Sequence, residues 1–278
     1  MTPVAPKIPI STRTPSTQCS RTTRRSVKPR QIVVEHGRVS TVTEVSATPV
    51  PSRRERLRAQ TVEEIRSIAL RLLAEGGPDA ISLRAIAREM GMTAGAIYGY
   101  YATRDDLITT LIAEVYGDLV DTAEAARDRV PAADPAGRVI AWGETVRGWA
   151  LAHPAGFRLI YGDPVLGYQP PPGGPAAEAE GRACSGLVGL VEAAWPTAAP
   201  LQSAGSVAWS DFDEGLVTHV RQEFPSLPPH ALALSLRMWG RMHGLVALEI
   251  YGHLRPQSQD PAKLYRAEML DLVRSLGL

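Results

Sequence analysis

The chain has 278 residues, of which 44% are hydrophobic, and its 30 basic and 29 acidic residues give a formal net charge of +1. No uncharged apolar run approaches the roughly 18 residues of a membrane-spanning helix, and two cysteines are too few for a disulfide framework. We therefore expect a soluble protein of a reducing cytoplasm, long enough for two domains and without a membrane partner.

The small net charge hides an asymmetry between the ends of the chain. Residues 1–58 hold twelve Lys and Arg against three Glu, a net charge of +9, and the remainder carries −8. Residues 1–51 are rich in Thr, Ser, Pro and Arg without a helical apolar period, so we predict a disordered basic extension. It lacks the apolar centre of a secretory signal. Two interpretations stay open: an arm that follows DNA, or a solvated tail, even one upstream of the true start of the protein.

The first predicted helix begins near Arg53, where Ser52-Arg-Arg-Glu55 is a capping-box pattern in which the Ser and Glu side chains satisfy each other's backbone N–H groups. Thr61 is a second candidate start. Arg54 and Arg58 lie in the first turns, where contact with phosphates is expected. One apolar stripe is predicted to pack beneath the following helices: Ile65, Ile68, Ala69, Leu72 and Leu73.

Two short helices joined by a tight turn are predicted between Ser82 and Tyr101. Ser82 is a good N-cap for the first helix, and Gly91 can take the left-handed backbone that ends it. Thr93 can cap the second helix. The spacing predicts a helix-turn-helix, in which the second helix lies in the major groove of DNA.

The segment from Thr61 to Leu107 resembles the TetR family of bacterial transcriptional regulators. The resemblance rests on an ordered set of motifs: Glu75-Gly76-Gly77, Ser82-Leu83, Ile86-Ala87, Gly91-Met92-Thr93, Ile97-Tyr98, Tyr101 and Asp105-Asp106-Leu107. It implies a homodimeric, cytoplasmic bacterial repressor that binds double-stranded DNA at a near-palindromic operator. It also implies release from that operator by a small-molecule effector, which we expect to be apolar.

The recognition helix, about Thr93 to Tyr98, exposes small residues that let its backbone approach the groove closely. By resemblance, Thr93, Tyr98, Tyr100 and Arg104 would contact phosphates, and Arg84 would add specificity. Ile97 and Tyr101 are predicted to be core residues, and Gly99 departs from the family pattern. The full set of DNA-binding candidates is Arg54, Arg58, Ser82, Arg84, Thr93, Ala94, Gly95, Ala96, Tyr98, Tyr100 and Arg104.

The rest of the chain is predicted to be helical with interruptions. A helix capped by Thr103-Arg-Asp-Asp106 runs towards Pro131 and, by resemblance, links two domains. The next helix is broken at His153-Pro154. A Pro/Gly-rich loop over 162–174 follows, then a helix over 176–194, a break over 196–206, and helical patterns over 209–224 and 232–254.

The helical pattern over 232–254 carries the second resemblance. Trp239-Gly-Arg-Met-His243-Gly244, together with Ala152-His153-Pro154 upstream, resembles a TetR subgroup named for a Trp-His-Gly signature. Leu232, Leu236, Trp239, His243, Val246, Ala247 and Ile250 are predicted to share one face, and Gly240 and Gly244 to let another helix pack closely. The resemblance implies a dimerising domain that often encloses a small-molecule pocket, with these candidate wall residues: Trp142, Trp149, Phe157, Tyr161, Trp239 and His243. Taken alone, each aromatic is more often an ordinary core residue than part of a ligand pocket.

The sequence thus predicts an all-α protein with three parts: the extension 1–51, a three-helix helix-turn-helix domain over 52–102, and a helical ligand-binding and dimerisation bundle over 103–278. We find no catalytic constellation, cofactor motif or metal site; Glu249 and His253 lack a second ligand pair. Two alternatives stay open. One is a helical small-molecule enzyme or carrier with a vestigial helix-turn-helix, and the other is non-specific DNA binding through the basic tail.

Overall fold

The computed structural model describes residues 52–162, 165–202 and 207–278, and regular structure in these ranges is entirely helical. The prediction of an all-α fold is confirmed. The predicted extension over 1–51 lies outside the described residues. The α-helices are α1 Arg53–Gly76, α2 Leu83–Glu89, α3 Ala94–Ile97, α4 Arg104–Asp128, α5 Pro135–Ala152, α6 Pro154–Tyr161, α7 Pro175–Ala198, α8 Glu214–Glu223, α9 Pro229–Ile250 and α10 Pro261–Ser275.

By internal contacts the chain divides into two units, of which the smaller comprises residues 13–61. Its described part is the beginning of α1. Glu55 accepts from the Ser52 amide at 2.6 Å while Ser52 Oγ accepts from the Glu55 amide at 3.2 Å. The predicted capping box is therefore present, and α1 begins at Arg53. Thr61 is not a start, because its hydroxyl donates to the Leu57 carbonyl at 3.0 Å inside the helix.

Within the larger unit, the second half of α1 packs into the same apolar cluster as α2 and α3. Its buried residues Ile65, Ala69 and Leu73 share that cluster with Ile86 of α2 and Ile97 of α3. The stripe is as predicted, except that its Leu72 is only partly buried. Ile97 and Tyr101 are core residues, with 0% and 7% of their surface exposed.

The long helix α4 starts with a complete capping box. The Thr103 amide donates to Asp106 Oδ2 and the Asp106 amide to Thr103 Oγ1, each at 3.0 Å. Both carboxylates of its first turn lie at the positive end of the helix dipole. The helix then runs for 25 residues and packs mainly against α5 and α7. One rigid element therefore connects the helix-turn-helix to the C-terminal helices.

Two boundaries in the second half of the chain differ from the prediction. The α7 helix continues through Pro196 to Ala198, because a proline in the last turn removes only one backbone bond near an end that frays. The segment 209–224 is not one helix: a 3₁₀ turn over Trp209–Asp211 precedes α8. Asp213 starts α8 by accepting from the Gly215 and Leu216 amides at 2.9 and 3.1 Å.

The buried face of α9 also differs from the prediction. Its most buried residues are Ala231, Leu232, Leu234, Ser235, Met238, Met242 and Val246. Leu236 and Trp239 are 38% and 40% exposed. The prediction was wrong for Leu236, because α9 packs against α5, α7 and α10 and its most buried stripe lies on the side of Met238 and Met242. No other part of the described chain comes within 4 Å of a Cβ placed on Gly240 or Gly244, so none of the described helices packs closely there.

Candidate DNA-binding and effector sites

The helix-turn-helix is built from two capped helices and a glycine turn. Ser82 Oγ accepts from the Ala85 amide at 3.5 Å, and Thr93 Oγ1 accepts from the Ala96 amide at 3.2 Å. Between the helices Gly91 has φ +65°, the left-handed region that glycine takes without a Cβ penalty. The Met92 amide then bonds back to the Ala87 carbonyl at 2.8 Å. These predicted caps and the turn are confirmed.

The second helix presents a low, open surface. Ala94, Gly95 and Ala96 are exposed while Ile97 is fully buried and fixes the helix to the core. Tyr98 follows at 45% exposure. A Cβ on Gly95 would have no neighbour within 4 Å. The backbone of α3 can therefore approach a partner surface closely, and a methyl group or a tyrosine ring is what meets that surface first.

The other DNA-binding candidates occupy varied environments. Arg84 is exposed on α2, whereas Ser82 and Tyr100 are half-buried. Arg104 is half-buried and its Nε donates to the Ile81 carbonyl at 3.0 Å, which ties the start of α4 to the residue just before α2. In the smaller unit, Arg54 and Arg58 are exposed on α1. No signal in the sequence indicated the bracing contact of Arg104.

A small cavity of about 30 Å³ lies among the C-terminal helices. Four of the six predicted wall residues line it, namely Trp142, Tyr161, Trp239 and His243. The remaining lining residues are Leu119, Val120, Val146, Ala183, Leu187 and Met242. Sequence reasoning missed these six because aliphatic residues on a helix look the same whether they face a cavity or a packed core.

The other two predicted wall residues support the cavity from outside its lining. The Trp149 indole N–H donates to Asp118 Oδ2 at 2.6 Å, which fixes α5 to α4. Phe157 is 1% exposed and stacks on the His243 ring, with centroids 5.2 Å apart and planes 18° apart. These contacts give both residues a packing role in this conformation.

Aromatic contacts connect the cavity wall. The Tyr161 ring lies 4.7 Å from His243, 6.2 Å from Trp239 and 5.7 Å from Tyr116 of α4, measured between centroids. Burial raises the pKa of Tyr161, and the charge of Glu180 raises it further. Burial lowers the pKa of His243, so its imidazole is neutral at pH 7. The wall therefore carries no positive charge of its own.

The cavity is too small for a metabolite as it stands. Its volume of about 30 Å³ has room for a water molecule or two, whereas ligand pockets enclose about 300–1,000 Å³. Binding a larger molecule requires side chains or helices of the wall to move. Trp239 is the most exposed wall residue.

One cluster resembles catalytic chemistry in composition but not in geometry. Ser185 Oγ lies 2.8 Å from His219 Nε2, and Glu223 contacts the same Ser185 hydroxyl and the same nitrogen, the latter at 3.4 Å. In a catalytic triad the acid holds the opposite ring nitrogen, Nδ1. The cluster therefore joins α7 to α8 without the arrangement that activates a serine.

Two further searches cover only the ranges that the structure describes. They contain no group of three or more His, Cys, Asp and Glu side chains able to hold a metal ion. No described helix combines the length and apolar character that a bilayer crossing demands.

A capped helix-turn-helix joined by a long helix to a helical domain with an aromatic cavity defines a DNA-binding regulator. Comparison with known families agrees: residues 65–111 match the bacterial regulatory proteins of the tetR family, and residues 139–272 match the tetracyclin repressor-like C-terminal domain. The chain belongs to the TetR family of transcriptional regulators. Repression of transcription, dimerisation and release by small molecules are typical of this family.

Individual relatives cover nearly the same span. The chain is 34% identical over 231 residues to the HTH-type transcriptional regulator Rv1816 of Mycobacterium tuberculosis, a match that covers 81% of this chain and 94% of the relative. The chain also resembles the crystal structure of regulatory protein SCO4313, with a TM-score of 0.64 and 34% sequence identity. That match covers 80% of this chain and 98% of the other. The TetR family regulator PfmR of Thermus thermophilus shares the fold at 14% identity, with a TM-score of 0.50 over 76% of this chain and 98% of the other.

Proposed function

We propose that this regulator is a homodimeric repressor that occupies a near-palindromic operator and leaves it when a small molecule enters the C-terminal cavity. The observation that carries the proposal is that α4 begins directly after the helix-turn-helix and also supplies Leu119 and Val120 to the cavity wall. A molecule that enlarges the cavity pushes on the helix that positions the DNA-reading domain. The effector acts only through its preference for the displaced conformation.

In this proposal α3 enters the major groove and reads DNA mainly by close approach. Methyl groups of Ala94 and Ala96 can meet thymine methyls, and Gly95 leaves room for the backbone. Phosphates are contacted by the following residues: Thr93, Tyr98, Tyr100, Arg104, Arg54, Arg58 and Ser82. Arg84, exposed on α2, is the side chain with the reach for a base or a flanking phosphate.

The dimer interface is proposed on the outer face of α9, defined by Leu236, Gly240, Gly244 and Leu248. The two leucines are 38% and 42% exposed, and the two glycines are open to a second helix. Exposed apolar side chains beside open glycines suit close helix packing between two copies. Two-fold symmetry then places two recognition helices on half-sites about one helical turn, or slightly more, apart.

The finer assignments of the chain follow the same proposal. Residues 52–102 form the DNA-binding domain and 103–278 the regulatory and dimerisation domain. We place the latter in the Trp-His-Gly subgroup, since Trp239 and His243 both line the cavity. The apolar lining suits an effector with an apolar body. We propose that the protein acts without enzymatic turnover, as regulators of this family generally do.

A footprint on DNA flanking the protein's own coding region, at near-physiological salt and with unrelated DNA as competitor, tests the function. A protected site with two-fold symmetry supports a dimeric operator-binding regulator, because base readout survives salt that weakens charge-driven binding. Equal protection of the competitor would favour non-specific binding through the basic residues. Absence of any protection, together with turnover of a bound compound, would favour an enzyme or carrier.

A further inference from the structure

Glu180 is a half-buried carboxyl on the face of α7 that borders the cavity. It lies on α7 three residues before the wall residue Ala183, so the two side chains share a helix face. Tyr116 stands in the same relation to the wall residue Leu119 on α4, and its ring meets the Tyr161 ring edge to face at 5.7 Å. Burial is the main cause that raises the pKa of Tyr161, and the negative charge of Glu180 is the second cause. Tyr161 lines the cavity, and Glu180 and Tyr116 lie on helix faces that border it.

The Glu180 carboxyl has no ion pair or hydrogen bond among the residues that the structure describes. Arg182, the only basic residue of α7, is bonded instead to Asp121, at 2.6 Å, and Glu124 of α4. His243, across the cavity, is neutral for the reason given above. A carboxylate that is partly withdrawn from water is stabilised by a paired cation, as half-buried Glu249 is by Arg147 in the same domain. Burial accordingly raises the pKa of Glu180.

We propose that the effector is an organic cation, an amine or quaternary ammonium on an apolar body, whose charge lies against Glu180 and the rings of Tyr116 and Tyr161. A cation supplies the charge that Glu180 lacks and is attracted by aromatic ring faces. The apolar body lies against Trp142, Met242 and Leu187. This inference rests on the proposed function, because it assigns a chemical class to the effector of the same cavity.

The test is direct binding to the full-length protein, followed by calorimetry. Benzyltrimethylammonium is the probe, and neopentylbenzene, which replaces the charged nitrogen by carbon, is its uncharged isostere. We expect the cation to bind at least about tenfold more tightly than the isostere. Glu180→Gln keeps the shape of the side chain and should remove that preference. Glu178→Gln, at an exposed position of the same helix, is the matched control and should keep it.

Three results would overturn the proposal: equal affinity for the two probes, an unchanged preference in Glu180→Gln, or no binding of the cation. Thermal melting of Glu180→Gln checks folding, and loss of an unpaired carboxyl should leave the melting temperature unchanged or higher. The footprint is read separately. A protein that protects its operator but does not prefer the cation retains its proposed function and loses only this assignment.

Discussion

Arg147 and Glu249 form a two-bonded ion pair between α5 and α9, in which Nε and Nη2 of the arginine donate to the two carboxylate oxygens at 2.8 and 2.7 Å. Both side chains are less than one-fifth exposed. The guanidinium also lies 5.9 Å from the ring centroid of Tyr265 on α10, whose hydroxyl donates to the Gly143 carbonyl of α5 at 2.8 Å. The pair therefore joins three helices of the regulatory domain.

Breaking this pair should be costly. Glu249→Gln removes one charge and leaves the guanidinium of Arg147 without its counter-charge, so we expect the free energy of unfolding to fall by about 2–4 kcal/mol. Urea denaturation at a fixed protein concentration measures it. The control is Asp271→Asn, in an exposed pair with Arg274, for which a change within about 0.5 kcal/mol is expected. Equal effects of the two substitutions would show that the α5–α9 pair is not a structural link.

Gly186 of α7 leaves room for the Trp142 ring, because glycine has no side chain. A Cβ at this position would lie 2.3 Å from a ring carbon of that buried side chain, which also lines the cavity. We expect Gly186→Ala to lower the free energy of unfolding by about 1–3 kcal/mol through overpacking. Gly189→Ala, on the same helix, would place its Cβ 3.9 Å from Phe224 and should be neutral or stabilising. Thermal melting of both variants tests this prediction. A Gly186→Ala variant as stable as the wild-type protein would mean that the Trp142 indole can move aside freely.

The parts of the fold that the sequence predicted are local. Ser52, Ser82, Thr93 and Thr103 each cap a helix within three residues of their bonding partner, so the sequence alone identifies them. The recognition helix follows from these caps and from Gly91. The same reasoning defines the candidate DNA-binding surface, because its exposed residues are simply those that the local periodicity leaves outside the core.

The parts that could not be predicted depend on distant partners. Arg147 and Glu249 are 102 positions apart, and Trp149 bonds to Asp118, 31 positions away. Periodicity assigned Leu236 to the inner face of α9, but three neighbouring helices determine which face is buried. The lone carboxyl of Glu180 has no sequence signature, since an acidic residue on a helix usually faces water.

The outer face of α9 should control assembly. Leu248→Glu places a charge within the proposed interface, where burial of an unpaired charge opposes association. Sedimentation equilibrium should then show a monomer where the wild-type protein is a dimer. Leu151→Glu on α5 introduces the same charge at a leucine of similar exposure, 40% against 42%, and should leave the dimer intact. A dimeric Leu248→Glu would move the interface to another surface.

The open position at Gly95 allows a direct test of the recognition helix. A Cβ there would have no neighbouring atom of the described chain within 4 Å. A carboxylate near the start of α3 is stabilised by the helix dipole, so Gly95→Glu should fold normally. On DNA the same carboxylate would fill the space that close approach needs and would face the phosphates. We expect operator affinity to fall at least about a hundredfold, towards the non-specific level.

Gly148→Glu, at an exposed and equally open glycine of α5, adds the same charge and should bind the operator like the wild type. Fluorescence anisotropy on the footprinted site, with circular dichroism to check folding, measures both variants. Operator binding by Gly95→Glu within about threefold of wild type would show that α3 does not enter the groove, because no room would then remain for the added carboxylate against the base edges.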